Sequence, residues 1–223
     1  MARLPRLVIP GQPHHVTQRG NRRAQTFFTE GDYALYKDLL SEAAQKANAE
    51  IWCYCLMPNH IHMIITPSDK DGLRRTFADA HRRYTSHINT RLRTTGHLWQ
   101  GRFGSVVMDE NHLANAVRYV SLNPVRARLV KRTQDWPWSS VSAHLSGHDD
   151  GLVTVAPVLE RYGDFASFLD QKENSAAFKM LRQSETTGRP LGSETWIEQL
   201  EKLTSRQLKP QKRGPKRKLR EDN

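Results

Sequence analysis

Two hydrophobic periods follow one another along the first two-thirds of the chain. HHVTQRG, residues 14–20, has the period of a short strand and ends on a Gly-Asn turn signal. Leu35, Leu39, Leu40, Ala43 and Ala47 then recur at helical spacing. Thr29 with Asp32 three positions on forms a capping box at the start of that helix. IWCYCLMPNHIHMIITP, residues 51–67, reads as two strands joined at Pro58-Asn59. With those two residues in the turn, Met57 faces His60, Cys55 faces His62 and Cys53 faces Ile64. Alternation gathers Trp52, Tyr54, Leu56, Ile61, Met63 and Ile65 on one bulky apolar face, which is the expected core face. The two histidines look out from the other.

The clearest helix follows, with Leu73, Phe77, Ala80, Tyr84 and Ile88 as its apolar stripe. Ser68 with Asp71 offers a second capping box and Gly96 a stop. Arg74, Arg75, Arg82, Arg83, Arg91 and Arg93 fall on its other faces. A strand is expected over residues 103–108, then a helix over NHLANAVRYVSLNPVRARLV that bends or ends near Pro124. The order β-α-β-β-α-β predicts an α+β, ferredoxin-like (RRM-like) antiparallel sheet with helices on one face. Its other face is expected to be free for a ligand. Beyond residue 150 the pattern weakens to short helices. Ser193 is a candidate N-cap there, ahead of Trp196, Ile197, Leu200 and Leu203. The expected divisions are a catalytic-type domain over 1–150, a mostly helical extension over 151–208, and a basic, disordered tail over 209–223.

Composition narrows the partners. The net charge is +11 and 37% of residues are hydrophobic. No stretch approaches the ~18 apolar residues of a membrane span, and the short apolar run near the N-terminus does not read as a secretory signal. The positive field favours a polyanion, nucleic acid above all. The basic residues cluster, with seven in the twelve positions from Lys209 to Arg220. Cys53 and Cys55, two apart on one strand, are badly placed for a mutual disulfide and fit a reducing, cytoplasmic setting.

His60 and His62, at i and i+2 on a strand, project from one face about 7 Å apart at their bases, a spacing from which two imidazoles can converge on an ion. Adding Cys53 and Cys55 gives a zinc-like set, but four ligands on one flat face do not easily make a tetrahedron, and the cysteines read better as small strand hydrophobes. A metal beside a phosphate needs a nucleophile. Water would make a metal nuclease, and a tyrosine a covalent strand-transfer enzyme. Tyr84 lies in a core stripe. Tyr119 lies roughly 120° from the stripe of Leu113, Val117 and Val120, on a side shared with His112, Ala116 and Asn123. That side is expected to be open to chemistry, and Asn123, one turn on, can offer an oxygen to the same ion. A noncatalytic nucleic-acid-binding protein remains a third reading, although the outward sheet face carries Cys53, Cys55, His60 and His62 rather than base-stacking aromatics.

Three separated motifs in order, MPNHIHMII, WQGRF and RYVSLNPVRARLV, together with HVTQRGNRR and DWPWSS, resemble the REP-associated tyrosine transposases. These are a domesticated, IS200-like branch of the single-tyrosine HUH transposases. The resemblance spans roughly residues 10–147, and TGRPLG with the basic tail resembles the C-terminal extension of one subgroup. It implies a bacterial, nucleoid-associated enzyme that cuts single-stranded DNA near palindromic hairpins of the REP type. The cut leaves a 5′-phosphotyrosine link and allows strands to be rejoined. It further implies His60 and His62 as metal ligands, Tyr119 as nucleophile, Asn123 as third ligand, and Mg²⁺ as cofactor, with Mn²⁺ as a substitute. Arg19, Arg22, Arg23, Arg102, Arg126 and Arg128 are expected to grip the strand, mostly through phosphate. Lys212, Arg213, Lys216 and Arg217 are expected to tether DNA nonspecifically. The protein is expected to act as a monomer or homodimer.

Overall fold

The computed structural model describes residues 6–209. Its elements are β1 (His14–Arg19), α1 (Glu30–Lys46), β2 (Ala49–Met57), β3 (His60–Pro67), α2 (Gly72–Leu92), β4 (Gly104–Val107), α3 (Glu110–Arg126), α4 (Val141–Ser146), α5 (Ala156–Tyr162), α6 (Phe165–Asp170), α7 (Ser175–Thr187) and α8 (Glu194–Thr204). The four strands form one sheet in the order β2-β3-β1-β4, and every pairing is antiparallel. This is the ferredoxin-like arrangement that the alternation of periods predicts. Among the described residues, no helix is long and apolar enough to cross a membrane.

Local chemistry sets the frame. The Asp32 carboxylate accepts from the Thr29 N–H at 2.9 Å, so the first capping box forms and α1 starts there. Ser68 does not cap α2, which begins at Gly72 with Asp71 as N-cap. That helix also ends before Gly96, on a left-handed Arg93. The β2–β3 register is the expected one, with Met57, Cys55 and Cys53 opposite His60, His62 and Ile64. Trp52 departs from it. A β-bulge between Ile51 and Cys53 turns Trp52 onto the face of Cys53 rather than that of Tyr54.

Tyr54, Leu56, Ile61, Met63, Ile65 and Val16 pack under α1 and α2, which form the first layer. The opposite face is not free. Cys53, Cys55, Ile64 and Val106 are covered by Leu113, Val117 and Val120 of α3, and α3 is covered in turn by Phe165, Phe168, Phe178 and Leu181 of the extension. Residues 156–187 therefore share a core with the sheet domain. Arg118, buried on α3, fixes this layer by donating to the carbonyls of Leu169, Gln171 and Lys172 behind α6.

Two motifs seal the edges of the sheet. In DWPWSS, Trp138 and Ser140 exchange backbone hydrogen bonds with Leu56 and Tyr54 along β2. In TGRPLG, the Leu191 N–H donates to the Val107 carbonyl at 2.9 Å along β4. Pairing both edges removes the exposed strands that invite aggregation.

Candidate active site

The sheet face under α3 is apolar at one end and polar at the other. Cross-strand pairing puts Thr17 opposite His62, Arg19 opposite His60 and Gly104 opposite Thr17. Their side chains therefore share one face, and the missing side chain of Gly104 leaves room there. The result is an open cleft of about 590 Å³, lined by Arg19, Arg23, His60, His62, Arg102 and Glu185 among others.

His60 and His62 converge as expected, with ring centroids 4.9 Å apart. His60 Nδ1 lies 2.6 Å from Asn59 Oδ1, which leaves Nε2 to face elsewhere. The Asn59 amide also donates to the Arg23 carbonyl at 3.0 Å, tying the histidine to the loop after β1. His62 stacks on His15 with centroids 5.2 Å apart, and His15 Nε2 lies 3.0 Å from His62 Nδ1. Burial lowers the pKa of His60 to about 4, with help from the Arg19 charge, and that of His15 to about 3. Burial also holds His62 well below the usual histidine value. The imidazoles are thus neutral near pH 7, the state in which they can bind a metal.

Tyr119 is not on an open side of α3. It is 5% exposed, because Phe178 of α7 covers it at a centroid distance of 5.3 Å. Its other contacts lead to the site. The ring stands edge-on to His62 at 5.5 Å and to His15 at 6.0 Å. Burial and the nearby Glu185 carboxyl push its pKa up to about 12, against the lowering effect of Arg126, Arg182 and Arg19. Pro124 does not end α3, which continues to Arg126, so Asn123 stays helical one turn beyond Tyr119. Asn123 is buried, and its Nδ2 makes no hydrogen bond.

The expected arginines divide into groups. Arg19, Arg23 and Arg102 line the cleft, and Arg22 is exposed beside it. Arg22 and Arg23 both hold left-handed backbone conformations, with φ of 52° and 62°. Such residues cost about 1–3 kcal/mol each, so the surrounding structure must hold them there. Gly20 makes this turn possible, since a Cβ on it would collide with the Ala24 carbonyl oxygen. Arg126 instead lies over the rings of Tyr119 and Phe178, with Glu173 3.5 Å away. Arg128 is left-handed and exposed just past the end of α3. The arginines of α2 are largely neutralised by pairs such as Arg74–Asp71, Arg82–Asp79 and Arg91–Asp32. Lys212, Arg213, Lys216 and Arg217 lie outside the described residues.

Two residues escaped the motif reading. His15 and Glu185, with His62, offer ligand atoms all within 4.8 Å of one another. His15 was findable, because HHVTQR places it at even spacing from Thr17 and Arg19 and so on their face. Glu185, on α7, carried no local signal. The zinc-like set is not assembled, since Cys53 lies against Ser121 and Ser140 and Cys55 against Met57. The donors fit a divalent cation: neutral imidazoles stand beside a carboxylate, and His15 Nδ1 and Glu185 Oε1 are buried without hydrogen-bond partners.

The chain is similar in sequence and in shape to known proteins. The family model for IS200-like transposases matches residues 11–123. A REP-associated tyrosine transposase of Escherichia coli K12 is 25% identical over 122 residues, covering 54% of this chain and 70% of that protein. A Haemophilus influenzae protein named "Putative REP-associated tyrosine transposase" is 30% identical over 98 residues, covering 39% of this chain. The match spans only 55% of the Haemophilus protein's length. The fold matches the structure of a REP-associated tyrosine transposase bound to a REP hairpin, with a TM-score of 0.57 and 23% identity. That match covers 70% of this chain and 90% of the other. The chain belongs to the IS200-like transposase family.

Proposed function

We propose that this protein is a metal-dependent single-strand DNA nickase and strand transferase. It would act beside palindromic hairpins of the REP type and use Tyr119 as its nucleophile. The observation that carries this reading is the edge-on meeting of Tyr119 with His62, 5.5 Å between centroids, where His62 itself lines a cleft together with Arg19, Arg23 and Arg102.

His60 and His62 would hold the cation, Mg²⁺ or Mn²⁺, with Asn123 offering a third donor from α3. When bound, such an ion polarises the scissile phosphate and offsets charge in the transition state. The chain's residues do the rest. Arg19, Arg23 and Arg102 seat the strand by its phosphates, and Arg22, Arg126 and Arg128 extend that basic surface. Tyr119 loses its proton, its oxygen bonds to phosphorus, and the P–O3′ bond breaks. The departing 3′ oxygen takes up a proton as the 3′ hydroxyl. The 5′ phosphate stays on the tyrosine, so a later 3′ hydroxyl can displace it and rejoin strands.

A phenol with a pKa near 12 is a poor nucleophile at neutral pH. Each pH unit recovered by cationic surroundings is worth about 1.4 kcal/mol. Arg19, Arg126 and Arg182 already act in that direction.

The test is incubation with a single-stranded hairpin oligonucleotide and Mg²⁺ or Mn²⁺, followed by a denaturing gel. A protein–DNA adduct that depends on metal supports the proposal. Cleavage without an adduct would assign a water nuclease instead, and binding without cleavage a noncatalytic reader of hairpin DNA.

A further inference from the structure

The histidine pair lacks what a hard cation wants most. Mg²⁺ and Mn²⁺ prefer oxygen donors, and two imidazoles leave most of the coordination shell to water and substrate. Among the described residues of the first 150, no carboxylate lines the cleft. One arrives from the extension. Glu185 lies near the end of α7, a turn after the buried Leu181, and its side chain is 17% exposed.

The spacing is informative. Glu185 Oε1 lies 3.8 Å from His15 Nδ1 and 4.0 Å from His62 Nδ1. These are too long for hydrogen bonds. Metal–ligand bonds of about 2.1 Å allow two donors of one ion to stand up to about 4.2 Å apart, and both separations fall inside that limit. Glu185 Oε1 and His15 Nδ1 are also both buried without a hydrogen-bond partner. Each such orphan ordinarily costs about 1–3 kcal/mol. Groups from β1, β3 and α7 are thus brought together, and those of His15 and Glu185 each have an atom unspent.

We propose that His15, His62 and Glu185 form a divalent-cation site in which the C-terminal extension supplies the carboxylate. The extension is then part of the metal centre as well as a cover for α3. This rests on the reading of His62 as a metal ligand, and the test separates the two claims.

Mn²⁺ binding to the full chain is measured by the loss of the free-ion electron paramagnetic resonance signal, without DNA. The wild-type chain, Glu185→Gln, Glu185→Asp and His62→Ala are compared. Wild type is expected to bind, His62→Ala to lose binding, and Glu185→Gln to weaken it by about 10–100-fold. Glu185→Asp keeps the carboxylate and is expected to recover part of the affinity. A parallel melting curve checks folding: Mn²⁺ should raise the wild-type Tm, and raise that of Glu185→Gln much less. Unchanged affinity in Glu185→Gln, with binding lost in His62→Ala, overturns this proposal and leaves His62 as a ligand. A Glu185→Asp variant no better than Glu185→Gln also overturns it. No Mn²⁺ binding by wild type, or binding indifferent to His62→Ala, overturns both readings.

Discussion

The Tyr119 ring meets His62 edge to face, at 5.5 Å and an interplanar angle of 84°. One side chain comes from a helix in the second layer and the other from a central strand, so the sheet and α3 together set the distance. Phe178 and Arg126 hold the ring from the other sides. These contacts use the ring rather than the hydroxyl. Tyr119→Phe should therefore keep the fold, with a change in stability within about 1 kcal/mol by urea denaturation.

Arg118 anchors the layer that covers Tyr119. Its guanidinium satisfies three backbone carbonyls behind α6, at Leu169, Gln171 and Lys172. Arg118→Ala orphans them and should cost about 2–4 kcal/mol. The measurable signs are a lower urea midpoint and faster proteolysis within residues 165–187.

The loop after β1 presents Arg22 and Arg23 in left-handed geometry, and Gly20 permits it. Gly20→Ala forces the Ala24 carbonyl aside and should cost about 1–3 kcal/mol. It should also weaken binding of single-stranded hairpin DNA, read by fluorescence anisotropy at fixed salt. Because Asn59 joins this loop to His60, the loop and the histidine should be disturbed together.

Acid should destabilise the protein. His14 Nε2 accepts from the Ile9 N–H at 3.1 Å, and its Nδ1 lies 2.7 Å from the Gln12 carbonyl, so the ring is held neutral. Burial, partly opposed by the Gln12 hydrogen bond, lowers its pKa from 6.5 to about 4. Between those values the unfolded chain binds the extra proton and the folded chain does not. Stability is then full above pH 6.5 and falls as pH drops toward 4, by up to about 1.4 kcal/mol per unit for this group. Urea midpoints at pH 7.5 and pH 5 check it, and His14→Gln should flatten the difference.

The strand pairing was legible because it is local. The Pro58-Asn59 turn fixes Met57 against His60, and period two does the rest. Trp52 was misplaced because its bulge is held by distant segments: Thr154 donates to the Ile51 carbonyl, and His144 lies 3.0 Å from that of Trp52. The wheel of α3 separated Tyr119 from Leu113, Val117 and Val120, but what covers that side depends on Phe178, in a helix with no motif. Glu185 shares that helix, and only its tertiary placement brings it to His62.

The account turns on which atom receives the phosphate, and mass spectrometry reads that directly. The protein is reacted with single-stranded hairpin DNA and Mn²⁺, the DNA is trimmed with nuclease, and the protein is digested with trypsin. The peptide YVSLNPVR, which begins at Tyr119, is predicted to carry a nucleotide phosphodiester on the Tyr119 oxygen. DNA cut in the same reaction with that peptide unmodified, or with the nucleotide on another residue, would contradict the account.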